Sequence, residues 1–296
     1  MKLYFQIQNY NWQPERYKYS VEQMMLMLFP GERPEYPEGY APSDNEAVFA
    51  LDRGPDRTVV TARVTRPEGA ARGETQVESR LLDEAPERVY HTLQHALKMA
   101  FYRAGTAVLG QEPPWGALTG VRPVKLPTRC MLAGGTPEQA QAELEGEYRV
   151  SPLRAKLAVD CAQASLAVDR AVRENQVSLY IGIPFCPTRC AYCSFVSADV
   201  GRTLKLVEPY LAAMLEEVEY TGRVLKESGL SIHSLYVGGG TPTTLSAGQL
   251  ETLFSAAWAH LPLETCVEYT VEAGRPDTIT REKLEVLRDQ GVERIS

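Results

Sequence analysis

The chain has no run of eighteen apolar residues, which argues against a membrane-spanning helix. It also has no dense Lys/Arg block, and its formal net charge is −7, so no nucleic-acid partner is expected. The opening residues, Met1-Lys-Leu-Tyr-Phe-Gln-Ile-Gln-Asn9, show neither the long apolar core nor the small-residue cleavage site of a signal peptide. A cytoplasmic location is expected. Cysteine is sparse: there are six, and three of them fall in one short stretch. No second Cys pair and no His-x-His group follows that stretch, which argues against structural zinc. Six cysteines, three of them grouped in one motif that must stay reduced, fit a reducing compartment and not a disulfide scaffold. The Gly238-Gly-Gly240 triplet lacks the Gly-Lys-Ser/Thr that a nucleotide-phosphate loop needs.

What is present centres on Cys186-Pro-Thr-Arg-Cys190-Ala-Tyr-Cys193, placed just after an apolar run. Three thiolates at this spacing can ligate three irons of a 4Fe–4S cube and leave the fourth iron open to a chelating small molecule. Such a cluster is a place for chemistry and more than an electron store. The alternative is three incidental, buried cysteines.

The chain reads as two kinds of grammar. Residues 1–110 are expected to form an α+β domain: a strand at 3–8, a helix capped by Ser20 and ended by Pro30, and a hairpin flanking Arg53-Gly-Pro-Asp56. In 86–104, Leu93, Leu97, Ala100, Phe101 and Ala104 recur at helical spacing. Residues 111–176 read as a loop and helical linker. Its Pro113-Pro-Trp-Gly-Ala-Leu-Thr-Gly-Val-Arg-Pro123 string is either a functional loop or a Trp-anchored turn, and Thr136-Pro and Ser151-Pro start two helices. From 177 to 296, strands at 179–183, 232–237, 266–271 and 293–296 alternate with helices at 204–228, 246–260 and 279–290. That alternation predicts an α/β fold with a parallel sheet, whose functional groups belong at the strand C-termini. The cysteine loop, the glycine triplet and Glu272 all fall there.

A sulfonium compound chelating the open iron would present its sulfur to the cube, where one electron could cleave a carbon–sulfur bond. Gly238-Gly-Gly-Thr241-Pro242 offers a backbone bare enough for close approach, with carbonyls and a hydroxyl able to meet an ammonium; taken alone it is only a turn. Glu272 is either an acceptor for a ribose or an amine, or a solvated carboxylate at a strand end.

The string Tyr180-Ile-Gly-Ile-Pro-Phe-Cys186-x3-Cys190-x-Tyr192-Cys193-x-Phe195, followed by Gly-Gly-Gly-Thr-Pro-Thr243, resembles the radical S-adenosylmethionine superfamily, and within it the oxygen-independent coproporphyrinogen III oxidase group. The leading region, with Pro-Trp-Gly-x-Leu-Thr-Gly-x-Arg-Pro, is similar to the HemZ-type coproporphyrinogen dehydrogenases. The resemblance implies a partial (β/α)6 barrel, here incomplete, preceded by the smaller α+β domain and the helical linker. It implies that Cys186, Cys190 and Cys193 hold a 4Fe–4S cluster, and that Tyr180, Tyr192, Gly239, Gly240, Thr241 and Glu272 contact S-adenosylmethionine. The implied reaction abstracts hydrogen from a porphyrinogen propionate with a 5′-deoxyadenosyl radical, and loss of carbon dioxide leaves a vinyl group. A tetrapyrrole substrate and an unidentified electron donor follow as partners.

Two positions depart from the oxidases of that group, which carry a fourth Cys where this chain has Phe195 and a His where it has Gly182. Phe195 matches the haem-chaperone branch, so haem carriage is the rival in a binding class. An electron-transfer iron–sulfur protein is the other rival, disfavoured because it needs no organic-ligand site. The family has six β-α units, whereas this chain holds three and the start of a fourth, so a C-terminally truncated sequence is expected. Cys130, Cys161 and Cys266 lie outside the motif, and the last two read as small buried hydrophobes.

Overall fold

The computed structural model describes residues 1–7, 9–119, 122–193 and 198–296. The chain forms two compact units, Met1–Ala167 and Val168–Ser296.

The first unit is built on β1 (Lys2–Ile7), α1 (Lys18–Leu28), β2 (Glu46–Arg53), β3 (Arg57–Arg66), β4 (Gly69–Glu78) and α2 (Pro86–Leu109). The strands lie in the order β1-β2-β3-β4; β1 runs parallel to β2, and the other pairs are antiparallel. Alternation decides which face is covered: Ala47, Phe49 and Leu51 on β2 and Val60, Ala62 and Val64 on β3 are fully buried. The stripe of Leu93, Leu97, Ala100, Phe101 and Ala104 on α2 meets them in one core. Each fully buried Leu or Phe contributes about 1.5–3 kcal/mol. α2 sits so close to β4 that a Cβ on Gly73 would stand 2.0 Å from the Ala100 carbonyl oxygen, so only glycine fits there.

Ser20 does not cap α1, contrary to expectation. The helix starts earlier, at Lys18, and Ser20 lies inside it, buried, with its hydroxyl accepting from Gln94 Nε2 at 2.7 Å. The unit continues with α3 (Lys125–Leu132), α4 (Pro137–Gly146) and the greater part of α5 (Pro152–Ala171). Thr136 and Gln139 form a reciprocal capping box on α4. The Pro/Gly string turns at 114–117, where Trp115 packs on the small core of these helices with the Arg154 guanidinium over its ring. Gly116 is at φ +56° and pressed against the Tyr148 carbonyl, so the turn requires it.

The second unit comprises β5 (Gln176–Ile183), β6 (Phe185–Cys186), β7 (Ala198–Asp199), α6 (Val200–Thr203), α7 (Val207–Glu227), β8 (Ser231–Gly239), α8 (Ala247–His260), β9 (Glu268–Val271), α9 (Arg281–Asp289) and β10 (Arg294–Ile295). Its sheet has the order β10-β9-β8-β5, parallel throughout. Short apolar strands buried among crossover helices produce this arrangement: Ile181, Ile183, Leu235, Val237, Tyr269 and Val271 share a core with Leu250, Leu253 and Phe254 of α8. Register pairs Ile183 with Gly239 and Val237 with Val271, so the C-terminal ends of β5, β8 and β9 form one rim. Among the described residues, no helix is long and apolar enough to cross a membrane.

Candidate functional site

The rim holds a cavity of about 340 Å³ lined by the cysteine loop, the glycine turn and the segment after β9. Cys186, Cys190, Cys193, Tyr192, Gly239, Gly240, Thr241 and Glu272, all expected site residues, line it. Tyr180 does not. Its ring stacks on Tyr236 with centroids 5.8 Å apart and stands over Gly238, beside the cavity.

The glycine turn is seated on the backbone that leads into Cys186. Gly240 N–H donates to the Ile183 carbonyl and Thr241 N–H to the Phe185 carbonyl, each at 2.8 Å. Gly239 holds φ +114°, which favours glycine, and a Cβ there would stand 2.9 Å from the Ile183 carbonyl oxygen. A Cβ on Gly240 would stand 2.9 Å from Cys186 Sγ. The Thr241 hydroxyl donates to that same sulfur at 3.4 Å. The triplet is therefore the close packing of one loop on another, and its last two glycines line the cavity.

Glu272 faces the turn from the end of β9. One carboxylate oxygen accepts from the Tyr236 hydroxyl at 2.9 Å and the other from the Gly239 N–H at 3.1 Å. Burial first, then the Glu272 charge, raises the Tyr180 phenol above its ordinary pKa. Tyr192 is 90% exposed, and its hydrogen bond with Cys190 is the main reason its phenol is raised.

Arg275, unremarked in the sequence, also lines the cavity. It donates to the Thr188 carbonyl at 2.9 Å, to the Thr188 hydroxyl at 3.1 Å and to Cys190 Sγ at 3.7 Å. No sequence signal separates it from an ordinary exposed arginine, because Thr188 is 87 residues away.

All six cysteines are free thiols. Cys186 is buried, while Cys190 and Cys193 are half-buried. Cys161 is exposed on α5, which corrects the expectation of burial, since it faces away from the stripe of Ala155, Ala158, Val159 and Ala162. Cys266 is half-buried and its thiol donates to the Glu268 carbonyl. Among the described residues, no three His, Cys, Asp or Glu side chains are gathered as around a metal ion. The donor set still suits an iron–sulfur group: three free thiols line one cavity, and Gly239, Gly240 and Thr241 line the same cavity. Phe195 lies outside the described residues. Gly182 has its carbonyl engaged by the Tyr210 hydroxyl.

A larger groove of about 540 Å³ lies in the first unit, where Arg149 and Glu112 pair with each other at 3.1 Å. None of the expected site residues lies there.

The chain is 33% identical over 261 residues to the oxygen-independent coproporphyrinogen-III oxidase-like protein HemZ of Bacillus subtilis, covering 87% of this chain and 52% of that protein. The chain is a radical S-adenosylmethionine relative of the oxygen-independent coproporphyrinogen III oxidase group. The haem chaperone HemW of Lactococcus lactis is 40% identical over 119 residues, which is 40% of this chain and 29% of that one. The oxygen-independent coproporphyrinogen III oxidase of Pseudomonas aeruginosa is 37% identical over 127 residues, 41% of this chain and 26% of that one. The chain thus spans about half the length, or less, of these relatives. A solved structure of the Escherichia coli coproporphyrinogen III oxidase HemN, described as a radical SAM enzyme, overlaps 45% of this chain and 30% of its own, at 28% identity and a TM-score of 0.37. No protein-family profile matches.

Proposed function

We propose that Cys186, Cys190 and Cys193 hold a 4Fe–4S cluster in the rim cavity and that the chain acts in the oxidative decarboxylation of coproporphyrinogen III propionates to vinyl groups. One observation carries this reading. Three thiols, a glycine turn and a carboxylate, drawn from three strand ends, line a single cavity. When bound, the cluster would supply the electron that cleaves S-adenosylmethionine.

The protein's own residues have three tasks in this reading. Gly239, Gly240 and Thr241 line the cavity beside Cys186 and present polar backbone to the amino acid end of S-adenosylmethionine. Glu272 accepts hydrogen bonds from its ribose or its amine while braced by Tyr236 and Gly239. Tyr180 and Tyr192, at the border and within the cavity, cover the cofactor and exclude water. The substrate is a tetrapyrrole, the reductant a separate electron donor and the compartment the cytoplasm. The division into an α+β domain at 1–110, a linker at 111–176 and a cluster-bearing core at 177–296 belongs to the same proposal.

The extent of the likeness to the HemZ protein favours the oxidase-like role over haem carriage, because it runs through 87% of the chain while the chaperone likeness stops at 40%. Haem carriage remains the second reading, favoured by the higher identity within that shorter stretch. The test is anaerobic reconstitution with iron and sulfide, followed by separate titrations with S-adenosylmethionine, coproporphyrin III and haem. A spectral response of the reduced cluster to S-adenosylmethionine and saturable coproporphyrin binding support the oxidase-like role. Tight haem binding without coproporphyrin binding shifts the conclusion to the chaperone.

A further inference from the structure

The guanidinium of Arg275 is divided between two partners. Nε and one terminal nitrogen lie on the Asp277 carboxylate at 3.0 and 2.6 Å, which fixes the plane of the fork. The remaining terminal nitrogen points into the cysteine loop, to the Thr188 carbonyl, the Thr188 hydroxyl and Cys190 Sγ. The side chain is only 21% exposed, despite carrying a full charge in a surface loop. An arginine held this way ties the loop between Cys186 and Cys190 to the segment that follows β9. It also sets a fixed positive charge beside one candidate ligand.

We propose that Arg275 is a positioning residue of the cysteine loop: it pins the loop through Thr188, and its N–H donation to Cys190 raises the reduction potential of a cluster held there. The second half rests on the cluster reading above; the first does not. The physics of the second half is that donors and cations near ligand sulfurs stabilise the more negative, reduced state of an iron–sulfur group. Asp277 moderates the charge without cancelling the donation, because it occupies the opposite edge of the fork. Lysine keeps the charge but has no planar fork with which to hold Asp277 and the loop together.

The test compares wild type, Arg275→Gln and Arg275→Lys. In the metal-free protein, trypsin cleavage after Arg189 reports pinning of the loop. Both variants should be cut at least tenfold faster than wild type with unchanged melting temperature. In the reconstituted protein, Arg275→Gln should lower the reduced-to-oxidised ratio at a fixed poise about tenfold, a shift of about 59 mV for a one-electron couple. Arg275→Lys should recover most of that shift. Wild-type cleavage rates in both variants, or a wild-type potential in Arg275→Gln, overturn the proposal. If Arg275→Gln fails to fold, Arg275→Lys decides: wild-type cleavage in that variant overturns it. Failure of the wild type to take up iron through its three motif cysteines would sink the cluster reading instead, and the cleavage comparison would still decide the pinning.

Discussion

The Gly239 amide donates to the Glu272 carboxylate at 3.1 Å, so the last residue of β8 is held by the residue that follows β9. The partner oxygen of that carboxylate takes the Tyr236 hydroxyl. A carboxylate with both oxygens engaged by the scaffold is pre-oriented, and this one lines the cavity.

Glu272→Gln preserves the shape but replaces one acceptor with a donor that meets Gly239 N–H or the Tyr236 hydroxyl. The expected result is at least a tenfold loss of S-adenosylmethionine affinity in the reconstituted protein, with a stability loss of about 1–3 kcal/mol. Equilibrium titration and urea unfolding measure the two effects separately. Unchanged affinity would place the cofactor elsewhere.

A cube with three protein ligands needs all three thiolates. Cys186→Ala, Cys190→Ala or Cys193→Ala should each bleach the visible absorption after anaerobic reconstitution. The triple change at Cys130, Cys161 and Cys266 should leave iron per chain unaltered, because none of them lines the rim cavity. Loss of half the iron in the triple variant would mean that one of them is a ligand.

Much of this site was legible because its chemistry-bearing residues sit at strand ends, and alternation of short apolar runs with amphipathic helices located those ends. The cysteine spacing and the glycine triplet could be read locally. Arg275 could not, since its meaning comes from Thr188, 87 residues away. β4 was missed for a different reason. Gly69-Ala-Ala-Arg-Gly-Glu-Thr-Gln carries almost no β-branched alternation, and it forms a strand because β3 offers an edge and α2 covers it through Gly73. Cys161 was misjudged because an alanine-rich helix gives little contrast between its faces.

Gly73→Ala tests the closest contact in the first unit. The added methyl would meet the Ala100 carbonyl at 2.0 Å and the Ala104 nitrogen at 2.6 Å, both backbone atoms that cannot rotate away. The helix must lift from the sheet, and the expected cost is about 1–3 kcal/mol or more. Urea denaturation should show a lowered midpoint for the first unit, and an unchanged midpoint would contradict the packing described.

The Glu32 carboxyl provides a pH prediction. Hydrogen bonds from the N-terminal ammonium, then from Arg66 and Asn45, hold it at about 2, below its ordinary 4.5. Folding favours the ionised form, so this contribution is complete above about pH 5 and is lost as pH falls towards 2. Glu32→Gln should lower stability at pH 7 by about 1.5–3 kcal/mol. It should also flatten the decline in melting temperature between pH 5 and 2, and parallel declines in the two proteins would assign the acid sensitivity to other groups.

The segment after β9 reaches both of the other rim loops: Arg275 holds Thr188, and Lys283 Nζ donates to the carbonyls of Thr243 and Thr278 at 2.7 and 2.9 Å. During synthesis, the cysteine loop leaves the ribosome 87 residues before its anchor does. At about 5–20 residues per second, the three thiols spend on the order of ten seconds unpinned and open to oxidants. Arg275 is thus translated well after the thiols it steadies, and the nascent cysteine loop is more open to oxidation until it arrives.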